Sequence, residues 1–438
     1  MRTLTFRYRA TTPGAVLGVL AALLVLRLPL SFLLFLVVPW ALVLTGAARR
    51  KAGMPIAPLT ALLGWCLGAA VLSILLLHPD SALSSSNNAF IMIGVAGYAF
   101  LMRRSEEPGL TARRALQGAY WGAVAVWIIS LGEIVTGIKL LPILYPGANT
   151  VSDVQSSRFV TSATYPNTND FCVVLTMLFI AVLAKMWFDP ARGIRNLGRR
   201  VMLTVSLAEI VVMGSRGALL GCILGFAILV VLNIRRQHRA ALGWRAAIHG
   251  GGLAIVGGLA LLSSSYIQDH STANRGIIVE NALTMLAGSP SNTILGYGSL
   301  SSYLSAAMAA YGTFLMDPHN LLLEITLNYG LPALVLFVVL WLWVLVQGFL
   351  PRAPMVDWQM AFGLTVVVLL PVLGVVPSST LRYHVTWVYI VATCVLVAES
   401  IRKRSVPASL GQDLETSHDD QTDHQASDDR DDWRSEQR

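Results

Sequence analysis

The sequence predicts an all-α, polytopic membrane protein with about 12 transmembrane helices and a large extracytoplasmic loop that contains short helices. Hydrophobic residues make up 55% of the 438 residues and charged residues only 13%, a balance far from that of soluble domains. Apolar runs long enough to cross a hydrocarbon core of about 30 Å recur from end to end. Basic residues group between these runs, as the positive-inside rule predicts for cytoplasmic loops.

Twelve apolar segments are predicted to span the membrane. They are approximately 13–26, 30–46, 57–77, 89–102, 115–135, 169–187, 201–213, 217–233, 246–265, 328–349, 358–376 and 384–401. Along this path the basic clusters fall inside, and both termini are cytoplasmic. Residues 1–401 thus form a membrane domain with extracytoplasmic loops at about 136–168 and 266–327. In the second loop 275–287 and 301–311 have helical spacing, and the GYG at 296–298 predicts a turn between them.

The charge is distributed unevenly along the chain. Residues 405–438 contain ten acidic residues and three arginines, so the rest of the chain has 29 basic and 14 acidic residues, a net charge of +15. The stretch 402–438 is predicted to be a disordered acidic cytoplasmic tail. The remaining basic residues lie in short loops rather than on one patch, so we expect contacts with anionic membrane lipids and no binding of nucleic acid.

Six basic residues depart from the inward bias. They are Arg27, Lys139, Arg158, Arg216, Arg275 and Arg382, which fall at the predicted outer face. The positive-inside bias does not favour an arginine on the outer side, and an arginine within the hydrocarbon region costs free energy. We therefore expect several of these side chains to bind an anion, because the guanidinium group matches phosphate oxygens in a bidentate geometry. An ordinary solvated loop position is an equal alternative for Arg275.

The segment 201–233 is predicted to be a hairpin that turns at GSRG, residues 214–217. Basic clusters flank the segment on both sides, so both of its ends are inside. Arms of thirteen and seventeen residues rise only about 20 and 25 Å, which would leave Arg216 recessed below the outer surface. The alternative is one tilted helix in which Arg216 pairs with Glu209, on the same helical face.

His319 is the candidate general base, because the unperturbed pKa of histidine lies nearest to neutrality. It stands where the long outer loop returns to the membrane, and Asp317 could orient it. The alternative is a simple capping role. No metal-ligand spacing, Walker motif or GxGxxG motif is present, so we expect no metal and no cofactor. The energy of any reaction at the outer face must then arrive with the substrate, as it does with a pyrophosphate leaving group.

Several segments resemble the O-antigen ligase and Wzy polymerase family of bacterial envelope proteins. They are SRFVTSATYPNTNDFCVVL at 157–175, GSRGALLG at 214–221, NRGIIVENAL at 274–283 with ILGYGSL at 294–300, and HNLLLEITLNYGLPALVLF at 319–337. Together they cover about residues 157–345 in the order of the family. The chain departs from the family pattern at Asn328, where an acidic residue is frequent, and at Pro332, where a second glycine is usual. Both departures concern helix packing and remove no catalytic group.

The resemblance implies a metal-independent glycosyltransferase of the bacterial cytoplasmic (inner) membrane with an extracytoplasmic active site. Its donor would be a glycan on undecaprenyl pyrophosphate, and its acceptor a hydroxyl of a glycan or lipid-glycan. By resemblance, Arg216 and Arg275 bind the lipid pyrophosphate and His319 is the catalytic base. Residues with a possible accessory role are Arg158, Asn167, Asn169, Asp170, Asp317 and Asn320.

Two alternatives remain at this stage. Ligase and polymerase differ only in the acceptor, so the sequence does not separate them, and it leaves the sugar, the linkage and the oligomeric state open. From a different class, twelve spans would also suit a transporter or a flippase for lipid-linked oligosaccharide. Transporters often have two related halves with broken helices in both, whereas the polar residues here concentrate in one outer loop. That asymmetry favours a transferase.

Overall fold

The fold is all-helical in the part of the chain that the computed structural model describes. This part comprises residues 2–46, 54–76, 82–144, 159–236, 270–312, 318–349, 356–376, 381 and 384–404, and it contains no β-strand. The first helices are α1 (Arg2–Leu26), α2 (Ser31–Leu44), α3 (Ala57–Leu76), α4 (Ala82–Arg104), α5 (Pro108–Thr136) and α6 (Leu141–Leu144). The next three are α7 (Thr168–Phe188), α8 (Ile194–Val212) and α9 (Arg216–Arg236). The last six are α10 (His270–Ala287), α11 (Pro290–Leu295), α12 (Leu300–Tyr311), α13 (Leu321–Phe349), α14 (Trp358–Leu373) and α15 (Val385–Arg404).

The apolar helices identify a membrane protein. Five of the described helices, α5, α7, α9, α13 and α15, are long and apolar enough to cross a membrane. Shorter apolar stretches lie in α1, α2, α3, α10 and α14. Every predicted span coincides with a helix except 246–265, which lies outside the described residues together with the tail from 405 onward. The number of twelve spans and the side of the membrane on which each loop lies remain predictions.

The segment 201–233 is a helical hairpin, as predicted. The chain turns between α8 and α9 at Gly214, whose φ is +66°. Helix α8 runs antiparallel to α7, because Arg199 Nη1 donates to Lys185 O near one end and Met213 Sδ lies 3.7 Å from Cys172 Sγ near the other. Helix α9 runs parallel to α7, from Thr176 and Ala218 at its start to Arg236 and Trp187 at its end. Both helices extend beyond the predicted arms, mainly at their basic ends.

Cations gather at the C-terminal ends of helices, at one end of the bundle. Arg199 and Arg236 donate to carbonyl groups in the last turn of α7, and Arg235 Nη1 donates to Gly348 O at the end of α13, 3.3 Å away. At the same end Arg113, in the first turns of α5, pairs with Asp357 and Glu399. Unpaired carbonyls and the helix dipole favour cations at a C-terminus. We call this the basic end, and the opposite end, which contains Gly214, the far end.

Helices α10, α11 and α12 form a small unit with its own apolar core against the first half of α13. We call it the outer unit, after the side of the membrane on which it is predicted to lie. Ala282, Leu286, Tyr297, Tyr303 and Leu327 are buried together in it. The predicted helices at 275–287 and 301–311 are confirmed, and the turn at GYG has two glycines with positive φ, at 296 and 298. The short helix α11 was not predicted, because six residues are too few to establish a period.

Helix α13 breaks at Gly330, and the break is where the outer unit contacts the bundle. Gly330 has φ +82° and ψ 171°, a conformation open essentially to glycine alone. Leu327 O accepts a hydrogen bond from Tyr297 N (2.6 Å), and Tyr329 O accepts one from the Trp65 indole (2.9 Å). The carbonyls released by the break therefore have partners, which a membrane interior requires.

Two helices begin before the predicted spans that they contain. Helix α13 begins at Leu321, ahead of the predicted span 328–349, because Asn320 caps it and the apolar helix continues upstream of Gly330. Helix α4 begins at Ala82, ahead of the predicted span 89–102. Asn88 Nδ2 donates to Asn328 Oδ1 (3.1 Å), next to the break in α13. Asn88 thus faces a polar neighbour, which hydropathy along the chain does not reveal.

Replacing Gly330 by alanine should destabilise the contact between α11 and α13. A Cβ at this position would overlap with Ile294 O, and the positive φ adds strain of about 1–3 kcal/mol. We expect Gly330→Ala to lower the thermal unfolding temperature in detergent. Gly132→Ala in α5, where a Cβ would meet nothing within 4 Å, is the control and should leave it unchanged or raise it. Equal unfolding temperatures for the two variants would contradict the role assigned to the break.

The far end should face outward from the cytoplasm, because the basic end holds the arginine clusters. Asn87, at the start of α4, and Lys403, at the end of α15, are both exposed, and the four native cysteines are buried. A membrane-impermeant maleimide added to intact cells should label Asn87→Cys and leave Lys403→Cys unlabelled until the cells are permeabilised. Labelling in the reverse order would overturn this orientation.

Candidate active site

The far end brings together the N-termini of three helices, α7, α9 and α13. Ser215 Oγ, just before α9, lies 3.4 Å from Asn169 Oδ1 in the first turn of α7. The turn after α14 connects α9 with α13. A Cβ on Gly217 would lie 2.5 Å from Val376 Cγ2, and one on Gly374 would overlap with Leu321 Cβ. The residues that begin α9 and α13 therefore pack against the same short turn, residues 374–376.

The start of α7 holds three of the predicted accessory residues. Asn167 is the N-cap, and its side-chain oxygen accepts a hydrogen bond from Asn169 N at 2.8 Å. Asp170 is buried in the first turn, where the helix dipole favours a carboxylate. Asn169 contacts the α8–α9 hairpin through Ser215. Asn167 and Asp170 thus stabilise the helix start, and Asn169 connects that start to the hairpin turn.

Arg216 is the first residue of α9, and its side chain is exposed. A helix N-terminus has unsatisfied N–H groups and a partial positive charge, so a cation there is unfavourable for helix stability. The prediction that GSRG forms the hairpin turn is confirmed, and a single tilted helix with an Arg216–Glu209 pair is not formed. An anion at this position would be attracted both by the guanidinium group and by the helix N-terminus.

His319 lies immediately before α13 and has φ +44°. A positive φ is uncommon outside glycine, although histidine tolerates it better than most residues. Asn320 caps the helix, because its Oδ1 accepts hydrogen bonds from Leu322 N (2.9 Å) and Leu323 N (3.2 Å). Asn320 therefore has a structural role that the sequence left open. Its cap and the buried Pro318 hold the backbone of His319 from both sides.

Three predicted site residues are only partly described or not at all. Arg158 and Asp317 lie outside the described residues. Arg275 lies in the first part of α10, and only its backbone is described. Ala282 and Leu286 of α10 pack in the apolar core of the outer unit, which rests on α13. The structure therefore brings Arg216, Asn169 and the α13 start to one place, and leaves the position of the other side chains as a prediction.

Three buried carboxyl groups near the far end were not predicted to belong to the site. Glu133 accepts hydrogen bonds from the backbone N–H groups of Leu140 (2.7 Å) and Ala163 (3.2 Å). Both oxygens of Glu324 lie within 3.2 Å of Leu381 N. Glu209 accepts a hydrogen bond from Ser130 Oγ at 3.0 Å. An acidic residue inside an apolar segment is itself a signal of a functional position, and it could have identified all three.

Lys139 also lies at the far end, beyond the last residue of α5. Its Nζ donates to Val160 O at 2.6 Å. Partial burial lowers the pKa of this amine, and the Glu133 carboxylate partly offsets the effect. Lys139 and Glu133 together hold the segment 160–163 against the end of α5. Lys139 thus has a structural partner here, which gives this cation a role other than anion binding.

The comparison with known protein families agrees with the arrangement of these elements. Residues 201–338 match the family model described as O-Antigen ligase. The match runs from α8 through the hairpin and the outer unit into α13, and it includes Arg216, Arg275 and His319. It begins after Asn167, Asn169 and Asp170, so the assignment of these three residues to the candidate site depends on the geometry alone. No curated protein matches the chain. Residues 201–338 of this membrane protein are thus similar to the O-antigen ligase family.

Proposed function

We propose that this protein is a metal-independent glycosyltransferase that transfers a glycan from a lipid pyrophosphate donor to an acceptor hydroxyl at the outer face of the cytoplasmic membrane. One observation carries the proposal. The family match contains both Arg216 and His319, and the segments that hold them pack against the same turn at residues 374–376. Arg216 and His319 thus lie at the same end of the bundle, although they are 103 residues apart in sequence (319 − 216).

The electrostatics of the far end suit a pyrophosphate. The N-termini of α7, α9 and α13 contribute partial positive charges, and Arg216 adds a full charge at one of them. The buried carboxylates in the first turns of α7 and α13, Asp170 and Glu324, each lie within their own helix start. The first turn of α9, which begins with Arg216, contains no acidic residue. An incoming phosphate group would therefore be most favourable at α9.

The proposed step is a displacement at the anomeric carbon of the donor sugar. The acceptor oxygen forms a bond to this carbon, and the bond from the carbon to the pyrophosphate oxygen breaks. The acceptor proton passes to His319. The electron pair of the broken bond leaves with the lipid pyrophosphate, whose charge Arg216 and Arg275 would stabilise. Such a displacement inverts the anomeric configuration and needs no further co-reactant.

The acceptor decides between ligase and polymerase. Transfer to a lipid-glycan of a different kind from the donor would make the protein a ligase, and transfer to a second lipid-linked glycan would make it a polymerase. Both would use the same arginines and the same base. The alternative of a flippase makes a different prediction, because a flippase would move the donor without forming a glycosidic bond. Analysis of the product from purified protein in vesicles separates these outcomes.

Substitution of Arg216 tests the pyrophosphate site. A hydrogen bond to a charged group contributes about 1.5–3 kcal/mol, so Arg216→Ala should weaken donor binding by roughly one to two decades. Arg216→Lys retains the charge and loses the planar fork, so it should bind with intermediate affinity. Arg236→Lys, at the opposite end of the same helix, is the matched control and should bind as the wild type. Full affinity in Arg216→Lys would exclude bidentate binding at this position.

Substitution of His319 tests the base. General-base catalysis contributes about 10²–10⁴-fold, so His319→Ala should lose turnover by a factor in this range while it still binds the donor. The neutral imidazole is the active form, so the wild-type rate should rise with pH as the ring loses its proton, and this limb should be absent from the variant. Loss of donor binding together with turnover would instead make His319 a structural or pyrophosphate-binding residue. Retained turnover would place the base elsewhere.

A further inference from the structure

Helix α8 has few fully buried side chains. Its buried residues are Ser206, Glu209 and Ile210, while residues such as Ile194, Val201 and Val212 are exposed. At its basic end Arg199 attaches it to α7 through Lys185 O and Asp189. At its far end Met213 Sδ lies 3.7 Å from Cys172 Sγ of α7, and Glu209 accepts a hydrogen bond from Ser130 Oγ of α5. Glu209 therefore connects the end of α8, next to the hairpin turn, to α5.

Glu209 is the last of three polar side chains that are linked by hydrogen bonds and come from α8, α5 and the segment before α7. Its Oε2 accepts a hydrogen bond from Ser130 Oγ of α5 at 3.0 Å, and Ser130 Oγ lies 2.9 Å from Thr161 Oγ1 in the outer segment before α7. Ser130 and Thr161 are fully buried, and Glu209 is 7% exposed. This network ties α8 to α5 and to the outer segment at one point.

The hydrogen bonds of Glu209 are too few to explain a carboxyl group by stability alone. Its Oε1 is buried and has no hydrogen-bond partner in the described part of the chain. The indole of Trp127 interacts with the carboxyl group, but its Nε1 does not reach hydrogen-bond geometry. An unsatisfied buried polar atom destabilises a protein, and an apolar residue of similar size is often neutral or stabilising in its place.

The carboxyl group of Glu209 lies one helical turn before the turn that presents Arg216. Met213 N donates to Glu209 O at 2.9 Å, and Ser215 N donates to Ile210 O, so the backbone connects the two directly. The side chains of Glu209, Asp170 and Ser215 all lie near Cys172. A shift of Glu209 would therefore move the Ser215–Arg216 turn relative to the start of α7.

We propose that Glu209 is a positioning residue, which through Ser130 and Thr161 holds the α8–α9 turn so that Arg216 meets the pyrophosphate of the donor. This inference rests on the proposed function. In this role Glu209 takes no part in forming or breaking a bond. It holds Arg216 in the position that binds the pyrophosphate. Bidentate binding of a phosphate by arginine requires a defined geometry, so the loss of one hydrogen bond that holds the turn should weaken donor binding.

The test compares Glu209→Leu, Glu209→Gln and Ser130→Ala in the full-length protein, with polyprenyl pyrophosphate without a glycan as the binding probe. We expect Glu209→Leu to unfold at the wild-type temperature or above and to bind the probe at least about tenfold more weakly, the loss expected when Arg216 no longer forms a hydrogen bond to the charged probe. Glu209→Gln still offers a carbonyl oxygen to Ser130 and should retain affinity. Ser130→Ala should weaken binding as Glu209→Leu does. The double variant Glu209→Leu, Ser130→Ala should bind the probe no more weakly than either single variant.

Ser206→Ala is the matched control. Ser206 lies on the same buried face of α8, three residues before Glu209, and its hydroxyl donates only within its own helix, to Leu203 O at 3.1 Å. This variant should bind the probe as the wild type does. Wild-type affinity in Glu209→Leu and Ser130→Ala would overturn the proposal, and so would a fall in unfolding temperature that accompanies weaker binding in both.

Arg216→Ala in the same assay separates the two proposals. If Arg216→Ala binds the probe as the wild type does, the proposed function of the arginine fails whatever Glu209 does. If Arg216→Ala loses affinity while Glu209→Leu and Ser130→Ala retain it, only the positioning role fails. If all three lose affinity and the Arg216→Ala, Glu209→Leu double variant is no weaker than Arg216→Ala, Glu209 acts through Arg216.

Discussion

The absence of water from the membrane interior is the constraint on which the rest of this structure depends. Every backbone group at membrane depth must find a partner in the protein, so a helix can break only where another element supplies one. Helix α13 breaks at Gly330 because Tyr297 N and the Trp65 indole take the carbonyls that the break releases. The outer unit is therefore attached to the bundle at the place where the helix is broken.

The same constraint affects where charged side chains lie. Arginines at the basic end donate to the last carbonyls of α7 and α13, where the helix dipole favours them. At the far end α7, α9 and α13 present their N-termini, and α9 begins with Arg216. A cation there is unfavourable with respect to the helix dipole, and the exposure of this side chain to solvent reduces that cost.

The far end combines rigid and weakly held elements. Helix α7 is almost completely buried, and α13 is capped by Asn320, so the positions of Asn169 and His319 are set by well-packed helices. Only three residues of α8 are fully buried, and apolar residues such as Leu203 and Leu207 are partly buried against the core. The hairpin turn is therefore held by partial apolar packing together with the buried hydrogen bond of Glu209. Binding groups on such elements require supporting residues around them.

The sequence by itself determined the helical class, the path of most helices and the hairpin at GSRG, because apolar length and the distribution of arginines are properties of the linear chain. It also placed two of the three outer helices and the turn between them. Only the tertiary structure decided the break at Gly330, the cap at Asn320 and the contacts of Glu133, Glu209 and Glu324. These depend on partners that are distant in sequence, such as Ser130 for Glu209, and no periodic pattern within one segment reveals a partner in another.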